Sequence, residues 1–108
     1  MVHRDAILGM QQYLKSNYQK NITVDEMAAQ CSMSKYHFLR IFKKIVGMPP
    51  CEYLKYCRIN EAKRLLKETA CPVSQIADLV GYGNVNLLIQ NFRQCVGMTP
   101  LKYRKSAV

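Results

Sequence analysis

The sequence repeats itself once, and this repeat constrains the fold more strongly than any other feature. Residues 24–31 align with residues 73–80, and residues 42–53 align with residues 92–103, so the copies lie about 50 residues apart. A repeat of this length commonly corresponds to a supersecondary unit that is used more than once. We therefore expect two copies of one small structural unit in the chain.

The segment that joins the copies, residues 50–69, predicts one long helix. Proline suits the first helical position, and no glycine or proline interrupts the residues that follow Pro50. At ~1.5 Å per residue this helix is roughly 30 Å long. Tyr53 is expected on its outward side. The predicted inward stripe, at helical spacing, consists of Cys51, Leu54, Ile59, Ala62, Leu65 and Leu66.

Each copy has the pattern of a helix-turn-helix unit. In the first copy, Thr23 and Glu26 form a capping box that opens a short helix, and Ser34 caps the next helix after a tight turn. In the second copy, residues 81–83 supply the turn and residues 84–96 the following helix. Two further helices are predicted at residues 5–18 and 101–105.

The predicted fold is all-α, with two helix-turn-helix units joined by a long central helix. A chain of 108 residues is long enough for one compact domain or for two very small lobes, and too short for an enzyme with a separate cofactor domain. We assign residues 1–48 to the first unit, residues 49–70 to the central helix and residues 71–108 to the second unit.

Composition narrows the function and the location. No apolar run approaches the ~20 residues of a membrane span, and the first ten residues lack the apolar core of a secretory signal, so a cytoplasmic protein is predicted. The five cysteines contain no Cys-x-x-Cys pair and are expected to be reduced and mostly buried, without a bound metal or cofactor. No carboxylate pair, activated nucleophile or phosphate loop can be assembled, which predicts that the protein is not an enzyme.

The first unit has a basic outward face that fits a polyanion. The chain carries a formal net charge of +9, and Lys35, Arg40, Lys43 and Lys44 lie on one predicted helix. A single helix fits the major groove of DNA, where an arginine such as Arg40 can bind guanine through O6 and N7. The two later lysines suit phosphate contact. Tyr36 and His37 either contact bases or pack against a neighbouring helix.

The second unit has a different outward face. Asn86 and Gln90 can each pair with adenine, but Arg93 is the single positive residue of that helix-turn-helix segment. Leu87 and Ile89 either touch thymine methyl groups or pack against a neighbour. We expect the first unit to supply most of the affinity, and the second to discriminate weakly or to lie over an A·T-rich segment. Near the end, residues 102–105 either contact phosphate or form a frayed basic tail.

These residues resemble the DNA-binding domain of AraC/XylS-type transcription regulators. The resemblance rests on the duplicated unit, on the pattern from Gly47 to Leu66, and on the closing pattern from Gly81 to Arg104, and it covers nearly the whole chain. It implies seven helices and two units that enter successive major grooves. It places groove-facing residues at Lys35, Tyr36, His37, Leu39 and Arg40 and at Val85, Asn86, Ile89 and Gln90, the last of which is usually arginine.

The resemblance also implies partners. Double-stranded promoter DNA is the expected ligand, and RNA polymerase the expected protein partner, with the isolated domain a monomer. Family members commonly carry a sensing or dimerisation domain ahead of this one, so we expect a C-terminal fragment of a larger bacterial regulator, the alternative being a short stand-alone regulator. Two other functions remain open. One is a basic helical module that binds an acidic protein without sequence-specific DNA binding. The other is RNA binding, against which the scarcity of aromatic side chains on the outward faces argues, because few bases could stack there.

Overall fold

The computed structural model describes residues 2–106, apart from the side chain of Val2, and within that range it is all-helical. No strand occurs there, and none of its helices is both long and apolar enough to cross a membrane. The all-α prediction is confirmed. The seven helices of the described range are α1 (Val2–Asn17), α2 (Val24–Gln30), α3 (Lys35–Val46), α4 (Pro50–Glu68), α5 (Val73–Leu79), α6 (Val85–Val96) and α7 (Pro100–Lys105).

Helix boundaries follow capping residues closely. The Thr23 hydroxyl accepts a hydrogen bond from the Glu26 amide at 3.1 Å, as the capping box predicts. Asn84, predicted as the first residue of α6, lies outside the helix as its N-cap. The helix predicted at residues 5–18 begins earlier, at Val2, because nothing between Val2 and Asp5 breaks a helix.

The chain divides into two compact units, and the division falls between Leu54 and Lys55, inside α4. We call the part before the division unit 1 and the part after it unit 2. In unit 1, α3 packs against both α1 and α2, while in unit 2 α6 packs against α5 and α7. The helix that carries the outward face is therefore the central packing element of each unit.

The two cores repeat the same aromatic contact. In unit 1, Phe42 is fully buried and its ring lies 6.2 Å from the ring of Tyr53 at an interplanar angle of 64°. In unit 2, Phe92 is fully buried and meets Tyr103 at 5.5 Å and 68°. Edge-to-face pairs of this kind stabilise a core beyond their buried area, so each unit fixes its outward helix with the same device.

The turns of the two units differ at one equivalent position. Ser32, after α2, has a positive φ of 55°, and Gly81, after α5, has a φ of 101°. The residue after each closes the turn by donating its amide back to the preceding helix, Met33 to the Ala28 carbonyl at 3.0 Å and Tyr82 to the Ala77 carbonyl at 2.8 Å. Glycine adopts this left-handed backbone without steric cost, whereas serine does not.

The predicted inward stripe of α4 is partly wrong. Tyr53, expected outward, is only 8% exposed because it packs on Phe42, and Cys57 is also buried. Cys51, expected inward, is exposed. Burial follows the predicted stripe at Leu54, Ile59, Ala62 and Leu66. Helical spacing alone misses the tyrosine, because its burial depends on a partner from α3.

Candidate nucleic-acid interface

Helix α3 is held at both ends and along its inner side. The Ser34 hydroxyl accepts a hydrogen bond from the His37 amide at 3.2 Å and caps the first turn. Gly47 ends the helix with a φ of 99°, and its amide donates to the Lys43 carbonyl. Phe38 and Phe42 are fully buried, and their ring centroids lie 5.6 Å apart with the rings tilted by 50°. The opposite side of α3 is therefore turned to solvent in a fixed orientation.

That solvent side is basic. Tyr36 is 82% exposed, and Arg40 and Lys43 follow it at spacings of four and three residues, which places all three on one face of the helix. Lys35 and Lys44 are exposed as well. The two basic groups and the tyrosine of this face, flanked by two further exposed lysines, can contact phosphates and base edges together.

His37 and Leu39, also predicted to face the groove, are both half-buried. The His37 ring packs edge-on against the ring of His3 from α1, with 5.1 Å between the ring centroids. Of the two expectations for His37, base contact or packing against a neighbouring helix, this contact agrees with the second, because the ring of His3 belongs to α1. Leu39 lies one residue before Arg40, at the border between the buried and the exposed side of α3.

Helix α6 begins with a side-chain cap. The Asn84 side-chain oxygen accepts hydrogen bonds from the Asn86 amide at 2.7 Å and from the Leu87 amide at 3.4 Å. Asn86, Gln90 and Arg93 are exposed, at the same relative positions as Tyr36, Arg40 and Lys43 of α3. The outward face of α6 is therefore amide-rich, and its single cation lies in the last turn.

Val85 and Ile89 lie beside this polar face and are partly buried. Both line an apolar cavity of about 270 Å³ that is formed by the first residues of α5, α6 and α7. The remaining lining residues are Val73, Thr99, Pro100 and Leu101. The structure thus places two of the four predicted groove-facing residues of unit 2 on an apolar surface and the other two, Asn86 and Gln90, on a polar one.

Tyr82 fixes the turn that precedes α6. Its side chain is 3% exposed, its hydroxyl accepts a hydrogen bond from the Asn91 side-chain amide at 3.0 Å, and the guanidinium of Arg58 lies 5.3 Å from its ring centroid. Burial raises the pKa of the Tyr82 phenol, against the opposing effects of Asn91 and Arg58. Burial also lowers the pKa of Arg58. Tyr82 therefore joins α4 and α6 within unit 2.

Arg104 has a structural position that the sequence analysis missed. Its guanidinium donates hydrogen bonds to the backbone carbonyls of Leu66, in the last turn of α4, and of Thr69 and Cys71, just after the helix. Lys67 donates from α4 to the backbone and side-chain oxygens of Ser106 at 2.7 and 2.8 Å. This segment is therefore an ordered helix tied to α4, and the frayed tail is wrong. Of its basic residues, Lys102 and Lys105 are exposed, and their contact with phosphate stays a prediction.

The described range could also hold metal-binding clusters or ion pairs between side chains. Residues 2–106 contain no cluster of three or more histidine, cysteine or acidic side chains that could hold a metal ion. Glu61 and Glu68 are both engaged by Arg64 on the exposed side of α4, at 2.7 and 3.2 Å. The hydrogen bond from Arg64 lowers the pKa of Glu61. This ion-pair network is on the surface and contributes little to stability.

The fold and the exposed helix faces together define a helix-turn-helix DNA-binding domain. A family model described as a helix-turn-helix domain matches residues 27–106. The chain belongs to this AraC/XylS-type helix-turn-helix family, and it is a DNA-binding domain of the transcription-regulator class. The resemblance inferred from the sequence is confirmed.

Relatives and solved structures agree with this assignment. The lactose operon transcription activator of Staphylococcus xylosus is 36% identical over 92 residues, which cover 85% of this chain and 33% of that protein. AdaA of Bacillus subtilis (strain 168), named a bifunctional transcriptional activator and DNA repair enzyme, is 34% identical over 94 residues, covering 87% of this chain and 44% of that protein. The chain thus spans less than half the length of these relatives.

A solved structure extends the similarity to a complex with DNA. The crystal structure of the DNA-binding domain of AdpA, a global transcriptional factor, in complex with a target DNA, matches with a TM-score of 0.86 and 26% identity. The match covers 91% of this chain and 88% of that one. Similar chains are mostly named as transcription regulators.

Proposed function

We propose that this chain binds a specific promoter sequence by placing α3 and α6 in the major groove of DNA. The observation that carries the proposal is the exposed basic face of α3, where Arg40 lies between Tyr36 and Lys43 on a helix fixed by Ser34 and Gly47. In this arrangement Arg40 binds a guanine edge, and Lys43 and Lys44 bind phosphates. Lys35, His37 and Leu39 complete the contact surface.

In unit 2 the proposed contacts are weaker and mostly uncharged. Asn86 and Gln90 bind adenine edges, and Arg93 binds a phosphate. Helix α4 has 19 residues, a length of about 28 Å at ~1.5 Å per residue. Since major grooves one turn apart are separated by about 34 Å, we propose that one molecule occupies two successive grooves. Because the units form a tandem repeat, the site of one molecule need not be palindromic.

Further parts of the proposal concern the whole regulator. The isolated chain acts as a monomer without catalytic activity, in the cytoplasm, where promoter DNA is found. It recruits RNA polymerase once bound. It forms the DNA-binding part of a longer bacterial regulator, since it matches only a third to under a half of the relatives described above.

Selection from a random pool of duplex DNA, followed by footprinting on the enriched sequence, tests this proposal. We expect one enriched motif and two protected patches on one face of the duplex, about 10 base pairs apart. As a first control, a mobility-shift assay on DNA of mixed sequence shows whether the chain binds DNA at all. If the chain binds no DNA, the basic helical module that contacts an acidic protein becomes the better description. A single protected patch contradicts the use of two grooves.

A further inference from the structure

The apolar cavity of unit 2 borders the proposed DNA-contacting face of α6. Val85 and Ile89 are spaced by four residues, as are Asn86 and Gln90, so α6 carries an apolar row and a polar row next to each other. The polar row is exposed, and the apolar row is partly buried against the cavity. A duplex that meets the polar row therefore also meets the rim of the cavity.

The cavity offers few polar groups to a ligand. Thr99 carries the single polar side chain among its lining residues, and the Thr99 hydroxyl already accepts a hydrogen bond from the Lys102 amide at 3.2 Å. Leu101, on α7, lines the cavity and is 57% exposed, so part of the apolar lining is accessible to solvent. An apolar group that covers this lining gains free energy by removing Val85, Ile89 and Leu101 from water.

Base edges in the major groove present one apolar group, the C5-methyl of thymine. We propose that Val85 and Ile89, at the rim of the cavity, recognise the C5-methyl of a thymine beside the bases contacted by Asn86 and Gln90. This inference rests on the proposed function, because it requires α6 to lie in the groove. It assigns the specificity of unit 2 to apolar contact as well as to the amide side chains.

Unit 1 provides an internal contrast. The positions of α3 equivalent to Val85 and Ile89 are Lys35 and Leu39, so the corresponding row of unit 1 begins with a cation. Attraction to phosphate is long-ranged and independent of sequence, whereas contact with a methyl group is short-ranged and depends on the base. Unit 2, with Arg93 as the single cation of α6, has to obtain discrimination from contacts of the second kind.

Replacement of thymine by deoxyuridine tests this inference, since it removes the methyl group and leaves the hydrogen-bonding edge unchanged. The test begins with the enriched duplex and the full 108-residue chain, and replaces the thymines one at a time. We expect affinity to fall about fourfold at one or two positions, the effect of removing roughly one buried methyl. We expect these positions in the half of the DNA site at which the Ile89→Ala variant shows a changed base preference.

Variants identify the residues responsible. In Val85→Ala or Ile89→Ala, the affinity ratio between thymine and deoxyuridine duplexes should approach one at those positions. Leu79→Ala is the matched control, because Leu79 belongs to unit 2, is 52% exposed and does not line the cavity, and it should keep the ratio of the unmodified chain. Leu87→Ala tests the rival contact, since the sequence predicts that Leu87, 45% exposed on the same helix, touches thymine methyl groups or packs against a neighbour. The ratio is measured within each variant, so a smaller folded fraction cancels.

Three results would overturn the inference: no thymine enriched in the half-site of unit 2, equal affinity for all deoxyuridine duplexes, or a ratio abolished by Leu87→Ala and kept by Ile89→Ala. Each leaves the proposed function intact if an enriched motif and two protected patches are still found. Absence of any enriched motif instead contradicts the proposed function itself, so the two failures can be told apart.

Discussion

The Nε of Arg104 in α7 donates a hydrogen bond to the carbonyl oxygen of Leu66 in α4 at 3.0 Å. Leu66 is one of the last four residues of α4, whose carbonyls have no regular partner within the helix. The same guanidinium donates to the carbonyls of Thr69, at 3.3 Å, and Cys71, at 2.6 Å. A cation at a helix C-terminus also complements the helix dipole. Arg104 therefore fixes the end of α4 to α7 within unit 2.

Arg104→Ala should lower the free energy of unfolding by ~1–3 kcal/mol, because several carbonyls lose a charged donor. Urea denaturation measures this loss. Lys105→Ala is the control, since Lys105 is exposed, and its effect should stay within about 0.5 kcal/mol. Arg104→Lys should recover only part of the loss because lysine lacks the forked geometry. Lost DNA affinity with unchanged stability would assign Arg104 to phosphate binding.

Ser32→Gly should stabilise the protein by roughly 0.5–1 kcal/mol, because Ser32 has a φ of 55° that glycine adopts without strain. Ser16→Gly is the matched control. Ser16 lies within α1, where glycine is a poor helix former, so the same chemical change should destabilise by a similar amount. Thermal and urea unfolding compare the two variants, and a stabilising effect of both would contradict the assignment of strain to the turn.

Arg40→Ala should cost ~1–3 kcal/mol of binding on the enriched site and relax one base position. Gln90→Ala should cost less, because Gln90 is uncharged and lies in the unit with fewer cations. Lys44→Ala is the control for phosphate contact and should weaken binding about equally on all sequences while lowering the salt dependence. Titrations on enriched and mixed DNA separate these results. A larger loss for Gln90 than for Arg40 would reverse the proposed division between the units.

Alkylation of the cysteines should proceed in an order set by exposure. Cys51 and Cys95 are exposed and should react first, whereas Cys57 is buried and should react slowly. Burial raises the pKa of the Cys31 thiol, so its reactive thiolate is less populated near pH 8 and its alkylation should require a higher pH. Mass spectrometry of timed samples measures the order. Early modification of Cys57 would indicate that its surroundings in α4 open readily.

Local sequence patterns predicted much of this protein. The repeat, the capping residues Thr23 and Ser34, and the stop at Gly47 act through neighbours in the chain, so helices α2 and α3 appear where their sequences place them. The exposed position of Arg40 also follows from helical spacing alone. A likeness to a known family could be recognised because these local signals occur twice.

Tertiary structure decided what depends on residues distant in the chain. Tyr53 is buried because Phe42 lies against it, and Arg104 contacts Leu66 across 38 positions of sequence. The prediction that the cysteines are mostly buried is wrong, since Cys57 is buried whereas Cys51 and Cys95 are exposed. The periodicity of a helix shows that it has an inner side, but only the packed neighbours determine where that side ends, because burial is a property of contacts between segments and not of one segment.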